Sequence, residues 1–191
     1  MTQLIAPSTA TVTDPWTYER YLRETAEGEY FTIIAGERFM SPSPTVFHQH
    51  ILLNLGMVLQ TWVRQSRIGK LGLAPLDVVL GDDEVVQPDL IFVLNEHLDR
   101  LTRKNVHGAP DLVIEILSPG STRLDRVKKR ELYARHSVPE YWIVSPGERT
   151  VEVLRLQDKQ YELAGLYEED DTLQSPLLPG FTCSVKDIFE E

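Results

Sequence analysis

Two carboxylates stand where a β-strand pattern would ordinarily carry apolar side chains. Glu115 lies within Leu112-Val113-Ile114-Glu115-Ile116-Leu117, and Asp89 follows Pro88 and precedes Leu90-Ile91-Phe92-Val93-Leu94. An ionised carboxylate is costly to bury unless it is paired or bound to metal. Were the two strands neighbours, about 4.8 Å apart, both carboxylates could converge on one cation. Oxygen-only ligation of that kind suits Mg²⁺, which keeps several waters and takes one or two carboxylates plus substrate phosphate, with Mn²⁺ as the expected substitute. Asp111, in a second Pro-Asp pair, competes for the role. At about 3.3 Å of strand per residue, however, its Cα stands roughly 13 Å from that of Glu115. Those two cannot share an ion, and Asp111 reads as a strand-edge acid. The competing structural reading makes Asp89 a turn acid and Glu115 a salt-bridged edge residue.

The surrounding pattern supplies elements to position these groups. Tyr30 to Ile34 and Glu37 to Met40 are β-prone runs joined by Ala35-Gly36, a hairpin signal, and Ser41-Pro42-Ser43-Pro44 then breaks the chain. Ile51, Leu52, Leu55, Val58, Leu59, Trp62 and Val63 recur at helical steps, and Gly69 and Gly72 are expected to close that helix. Leu76 to Leu80 reads as a buried strand, and Val85 to Leu94 as its return, interrupted by Pro88. A polar connection from Asn95 to Ala109 leads to the strand Asp111 to Leu117. Thr122 followed by Asp125 resembles a capping box, predicting a helix to about His136. Strands follow at Glu140 to Val144 and Thr150 to Leu156. The order predicts an α/β fold, a mixed central sheet with helices packed on it and an N-terminal hairpin. One domain over residues 16–191, preceded by an extension over 1–15, is the expected organisation.

The helix after Glu115 concentrates positive charge. From Ser121 to His136 six cations face Asp125 and Glu131, a local +4, whereas Asp158 to Glu191 carries nine acids against Lys159 and Lys186, a local −7. The chain as a whole is at −10, the wrong sign for holding nucleic acid by bulk electrostatics, so any DNA contact is expected on the basic stretch. The competing reading is a solvated helix face. Lys128 and Lys129 are adjacent, and periodicity does not choose between them as the group facing the acids; Lys129 is also an i,i+4 partner for Asp125. His48 and His50, two apart on a helix, do not form a zinc pair. Tyr141-Trp142 offers stacking surface for a base but falls in a strand pattern, which favours the core.

Taken together these motifs resemble a known family. Gln87-Pro88-Asp89 followed by Glu115 at the end of a hydrophobic strand is similar to the signature of the PD-(D/E)xK nuclease superfamily. The run Ala109-Pro110-Asp111-Leu112-Val113-Ile114-Glu115-Ile116-Leu117-Ser118-Pro119, with Ser121-Thr122, Asp125, Lys129, Tyr133 and Val138-Pro139-Glu140-Tyr141-Trp142-Ile143-Val144, resembles more closely the Uma-two family of restriction-endonuclease-like proteins. The similarity extends upstream through Gly36-Glu37, Met40-Ser41-Pro42 and His48. It implies a restriction-endonuclease-like fold and a metal-dependent endonuclease acting on DNA, with Asp89 and Glu115 holding Mg²⁺ and the Ile116 carbonyl as a further candidate for that role. The superfamily lysine stands two residues after the acid, where this chain has Leu117. The resemblance moves that function to Lys129, through the spacing Asp125-x-x-x-Lys129-x-x-x-Tyr133, and gives His48 and Glu37 second claims on the site. For His48 a capping or core role competes.

The remaining expectations are negative or coarse. The longest apolar stretch, Ile51 to Leu59, is broken by Asn54 and Gly56 and falls short of the roughly 20 residues of a spanning helix, so no membrane segment is expected. Met1 to Thr13 lacks the pattern of a secretory signal, and a lone Cys183 makes no internal disulfide, which together point to a reducing cytoplasm. Two functions remain open: a Mg²⁺-dependent deoxyribonuclease, paired as a homodimer if two strands are to be cut, and a catalytically silent nuclease-fold protein that binds DNA or a protein partner.

Overall fold

The computed structural model describes residues 14–26, 28–40 and 43–191. Most of the extension expected over residues 1–15 lies outside the described residues, as do Ser41 and Pro42 of the predicted break. In chain order the elements are α1 (Tyr18–Glu24), β1 (Phe31–Ile34), β2 (Glu37–Met40), α2 (Val46–Ser66), β3 (Gly69–Leu73), β4 (Val78–Gly81), β5 (Glu84–Val86) and β6 (Leu90–Leu94). There follow a 3-10 turn at Asn95–Arg100, β7 (Val106–His107), β8 (Leu112–Ile116), a π-helical segment at Leu124–Lys129 and α3 (Arg130–Arg135). The chain ends through β9 (Glu140–Ser145), β10 (Thr150–Gln157), β11 (Gln160–Tyr167), β12 (Thr172–Gln174), β13 (Thr182–Ser184) and α4 (Val185–Ile188). No helix among the described residues is long and apolar enough to cross a membrane.

A six-stranded mixed sheet, ordered β11-β10-β9-β8-β6-β3, forms the centre, and a five-stranded sheet, β2-β1-β5-β4-β7, packs beside it. β8 and β9 run parallel, joined by the helical crossover that carries Lys129. One face of the central sheet buries Leu90, Phe92, Leu112, Ile114 and Trp142 under α2 and α4; the other buries Ile91, Val93, Val113 and Tyr141 against α3 and the second sheet. This is the mixed sheet flanked by helices that the pattern predicts.

Several local expectations have clear physical outcomes. Ala35 and Gly36 both take positive φ, 51° and 74°, the turn that matches strand twist in a two-residue hairpin. Thr45 caps α2 by accepting from the His48 amide at 3.1 Å, and the apolar stripe from Ile51 to Val63 faces the core, with Val58 and Trp62 partly buried. Gly69 and Gly72, expected to end that helix, instead lie in β3. A Cβ on Gly69 would meet the Val93 carbonyl at 2.3 Å, so glycine lets this edge strand approach β6 closely. The run Val85 to Leu94 is two strands in different sheets, because Pro88 has no amide to continue the ladder. Asp111 is the structural acid it was read to be: it accepts from the Leu94 amide and faces His97 Nδ1, each at 2.8 Å, and fixes the turn after β6.

The C-terminal elements, less legible in the sequence, complete the core over α2 with Leu173, Phe181, Cys183, Val185 and Ile188. Burial pushes the Cys183 thiol up to about 11, with Asp187 adding to the effect, so this residue packs rather than reacts. Buried Glu140 ties this layer to the sheet by accepting from Trp142 Nε1 (2.7 Å), Ser175 Oγ (2.6 Å) and the Leu177 amide (2.9 Å). Glu140→Ala leaves these donors unpaired and is expected to cost about 3 kcal/mol in urea unfolding. A loss under about 1 kcal/mol would show that apolar contacts alone hold the segment.

Candidate active site

The register of the central sheet brings the two acids together. β6 and β8 pair antiparallel with Leu90 opposite Ile114, so the next pair outward is Asp89 and Glu115. Both fall on the same face as Ile91, Val93 and Val113, the face that α3 covers. Asp89 Oδ2 accepts from the Ile116 amide at 2.7 Å, which fixes the carboxylate at the strand end. Glu115 is almost wholly buried, whereas Asp89 keeps partial access to solvent.

Lys129 meets this pair from the crossover helix. Its Nζ lies 2.9 Å from Glu115 Oε1 and 2.9 Å from Asp125 Oδ1, with all three side chains buried. Tyr133 donates to Glu115 Oε1 at 2.6 Å, and Tyr141 donates to the Asp125 carbonyl at 3.2 Å. The helix reaches this arrangement through the π-helical turn Leu124–Lys129, where the Arg130 amide reaches back to the Asp125 carbonyl. Such wide turns redirect side chains and concentrate at functional sites. They also explain why periodicity did not separate the lysines. Lys128 points outward, 3.4 Å from Glu37 Oε2 and over the Phe39 ring, so neither Lys128 nor Glu37 reaches the acids. The predicted capping box is absent: Thr122 Oγ1 donates to the Ser118 carbonyl at 2.9 Å, and the Asp125 carboxylate is turned inward to Lys129.

His48, in the first turn of α2, completes the wall. Its Nε2 stands 3.1 Å from the Ile116 carbonyl and 3.4 Å from Asp89 Oδ2. These groups line a cleft of about 530 Å³ whose rim includes Tyr30, Met40 and Gln87. The structure thus brings together Asp89, Glu115, Lys129 and His48. To them it adds the Asp125 carboxylate and Tyr133, which the sequence placed at four-residue spacing from Lys129 but did not assign to the site. Tyr141 and Trp142 are buried and present no stacking surface.

In the cleft one ammonium, that of Lys129, faces three carboxyl groups, Asp89, Glu115 and Asp125. Burial pushes Glu115 up to about 8; Lys129 and Tyr133 pull it down, while Asp125 and Asp89 push it further up. Burial works against the Lys129 charge, but Glu115 and Asp125 outweigh it and the ammonium is held above its ordinary range. For His48, burial opposes protonation and is outweighed by Asp89, the Ile116 carbonyl and Asp125, which raise its pKa. Because the folded pKa of Glu115 exceeds its unfolded value, the stability it contributes is present at low pH and lost as pH rises through about 8. Stripped of divalent ions, Glu115→Gln is therefore expected to gain stability relative to the unsubstituted protein as pH rises from about 5 past 8 in thermal melts. An unchanged difference would place Glu115 in balanced pairing with Lys129.

Carboxylates this close push one another toward the neutral form, and a cation set between them would favour their charge. Among the described residues no group of three or more His, Cys, Asp or Glu side chains is arranged around one metal position, since Glu115 leans on Lys129 and Tyr133. The donor chemistry nevertheless fits an ion that takes one or two carboxylates, a carbonyl oxygen and water. The basic stretch is different from expectation. Arg126 pairs with Glu152 at 2.6 Å, Arg130 donates to the Tyr161 carbonyl at 2.8 Å, and Arg135 pairs with Glu84. The local +4 is largely neutralised by acids from other elements and is not a free cationic face.

No curated protein matches the chain. Among solved structures it is similar to one described as "a putative nuclease belonging to DUF820" from Anabaena variabilis, at 26% identity and a TM-score of 0.76, over 92% of this chain and 98% of that one. The model of the Uma2 family, described as "Putative restriction endonuclease", matches residues 17–186. With nearly its whole length matched, the chain belongs to the Uma2 family, as its motifs implied.

Proposed function

We propose that this protein is a divalent-cation-dependent phosphodiesterase that cuts DNA. The observation that carries the reading is the convergence of Asp89 and Glu115 from opposite register positions, with buried Lys129 against them in one cleft. Asp89, Glu115 and the Ile116 carbonyl would hold Mg²⁺, with Mn²⁺ as a substitute. When bound, such an ion supplies a Lewis acid for a phosphate oxygen and a more acidic water. The protein's own groups do the rest. Lys129 presents an ammonium beside the carboxylates, placed to orient the attacking water or to offset charge developing on the phosphate. Tyr133 fixes the Glu115 carboxylate, and Asp125 holds the Lys129 side chain in place. Cutting both strands of a duplex calls for two such sites, which a homodimer would supply.

The neutralised basic stretch favours a second reading, a nuclease-fold protein that binds a partner without cutting. Incubating purified protein with supercoiled plasmid and with single-stranded DNA, in Mg²⁺, in Mn²⁺ and in EDTA, separates the two. Strand scission in either cation and none in EDTA is expected. Intact DNA under every condition would favour the silent reading.

A further inference from the structure

The contacts of His48 differ from those of a packing histidine. Its ring is buried, yet Nδ1 has no hydrogen-bond partner among the described residues, and Nε2 is directed at two oxygens, the Ile116 carbonyl at 3.1 Å and Asp89 Oδ2 at 3.4 Å. Since nothing holds a proton at Nδ1, what faces Nε2 decides the tautomer. With no cation present, two acceptors face it and Nε2 carries the proton. A cation between those oxygens would instead face the Nε2 lone pair, the usual imidazole donor, with the ring proton moved to Nδ1. The spacing suits this exchange. For bonds of roughly 2.1 Å meeting at right angles, neighbouring ligand atoms stand about 3 Å apart. The close donor set is thus two side chains and a main-chain carbonyl.

Resting on the cation site proposed above, we propose that His48 is itself a ligand, through Nε2, beside Asp89 and the Ile116 carbonyl, and that it biases the site from Mg²⁺ toward Mn²⁺ and later first-row ions. Mg²⁺ takes oxygen ligands and parts with water reluctantly, whereas affinity for a nitrogen donor rises along the first-row series. The two contacts of Nε2 specify which nitrogen, and His50, whose ring makes neither, has no part in it.

The test uses the whole chain stripped of divalent ions and loaded with Mn²⁺. Electron spin-echo envelope modulation reads directly whether a ¹⁴N ligand is bound to Mn²⁺, and calorimetry gives Mn²⁺ and Mg²⁺ affinities for the unsubstituted protein, His48→Gln and Asp89→Asn. Expected are an imidazole ¹⁴N coupling that disappears in His48→Gln, and a loss of Mn²⁺ affinity on the order of 10-fold or more with a smaller loss for Mg²⁺. Mn²⁺ bound tightly without nitrogen coupling, and weakened only by Asp89→Asn, would overturn the role of His48 while leaving the cation site standing. Mn²⁺ affinity equally weak in the unsubstituted protein and in Asp89→Asn would overturn the cation site and His48's role with it. The coupling measured on the unsubstituted protein is decisive even if His48→Gln fails to fold.

Discussion

Lys129→Met is expected to lower cation-dependent DNA cleavage by about 10²- to 10³-fold or more, the loss typical when a preorganised charge is removed from a transition state. It should also weaken the fold. Among the described residues the ammonium is the only cation paired with buried Glu115 and Asp125, and leaving a buried charge without its partner costs about 3–5 kcal/mol. Lower activity in the single variant therefore mixes two causes. Lys129→Met/Asp125→Asn removes one of the stranded charges and should recover part of the stability without recovering activity. Lys128→Met, which loses only a surface contact with Glu37 and a cation–π contact with Phe39, should cut normally and unfold within about 1 kcal/mol of the unsubstituted protein. Activity restored in the double variant would make Lys129 purely structural, and loss confined to Lys128→Met would assign the role to its neighbour.

The second large effect is at Asp89. Asn at this position keeps an oxygen to accept from the Ile116 amide, so the strand end should hold and stability should change by about 1 kcal/mol or less. What it loses is charge at the mouth of the cleft. Cleavage should fall on the order of 10³-fold, and the stabilisation that saturating Mn²⁺ gives in thermal melts should vanish, since an ion stabilises only the state that binds it. Full stabilisation by Mn²⁺ in Asp89→Asn would move the ion to another place on the protein.

Asp89 and Glu115 were legible in the sequence because a carboxylate inside an apolar strand pattern is conspicuous, and antiparallel pairing then leaves few registers. The hairpin, α2 and the β8–helix–β9 crossover were legible for similar reasons: each has a clear period and turn residues at its ends. Lys129 was reached by resemblance alone, since the π turn breaks the periodicity that separates it from Lys128. Asp125 looked like a cap because a sequence shows that an acid follows Thr122 by three residues, not that its carboxylate turns inward. The basic stretch was read as a face because the acids that neutralise it, Glu152, Glu37 and Glu84, come from distant elements. β12 and β13 are three residues each, too short to display alternation. His48 reads first as a capping or core histidine until the Ile116 carbonyl and Asp89 are placed beside it.

On the proposed function, this cleft cuts a phosphodiester bond with a divalent ion held at Asp89 and Glu115. The most direct test is nicking of supercoiled plasmid by EDTA-stripped protein, with Mn²⁺ or Mg²⁺ returned, run in parallel with folded Asp89→Asn from the same purification. The predicted result is nicking by the unsubstituted protein only after a cation is added, and none by Asp89→Asn. Nicking that persists in EDTA, or that survives undiminished in Asp89→Asn, would contradict it.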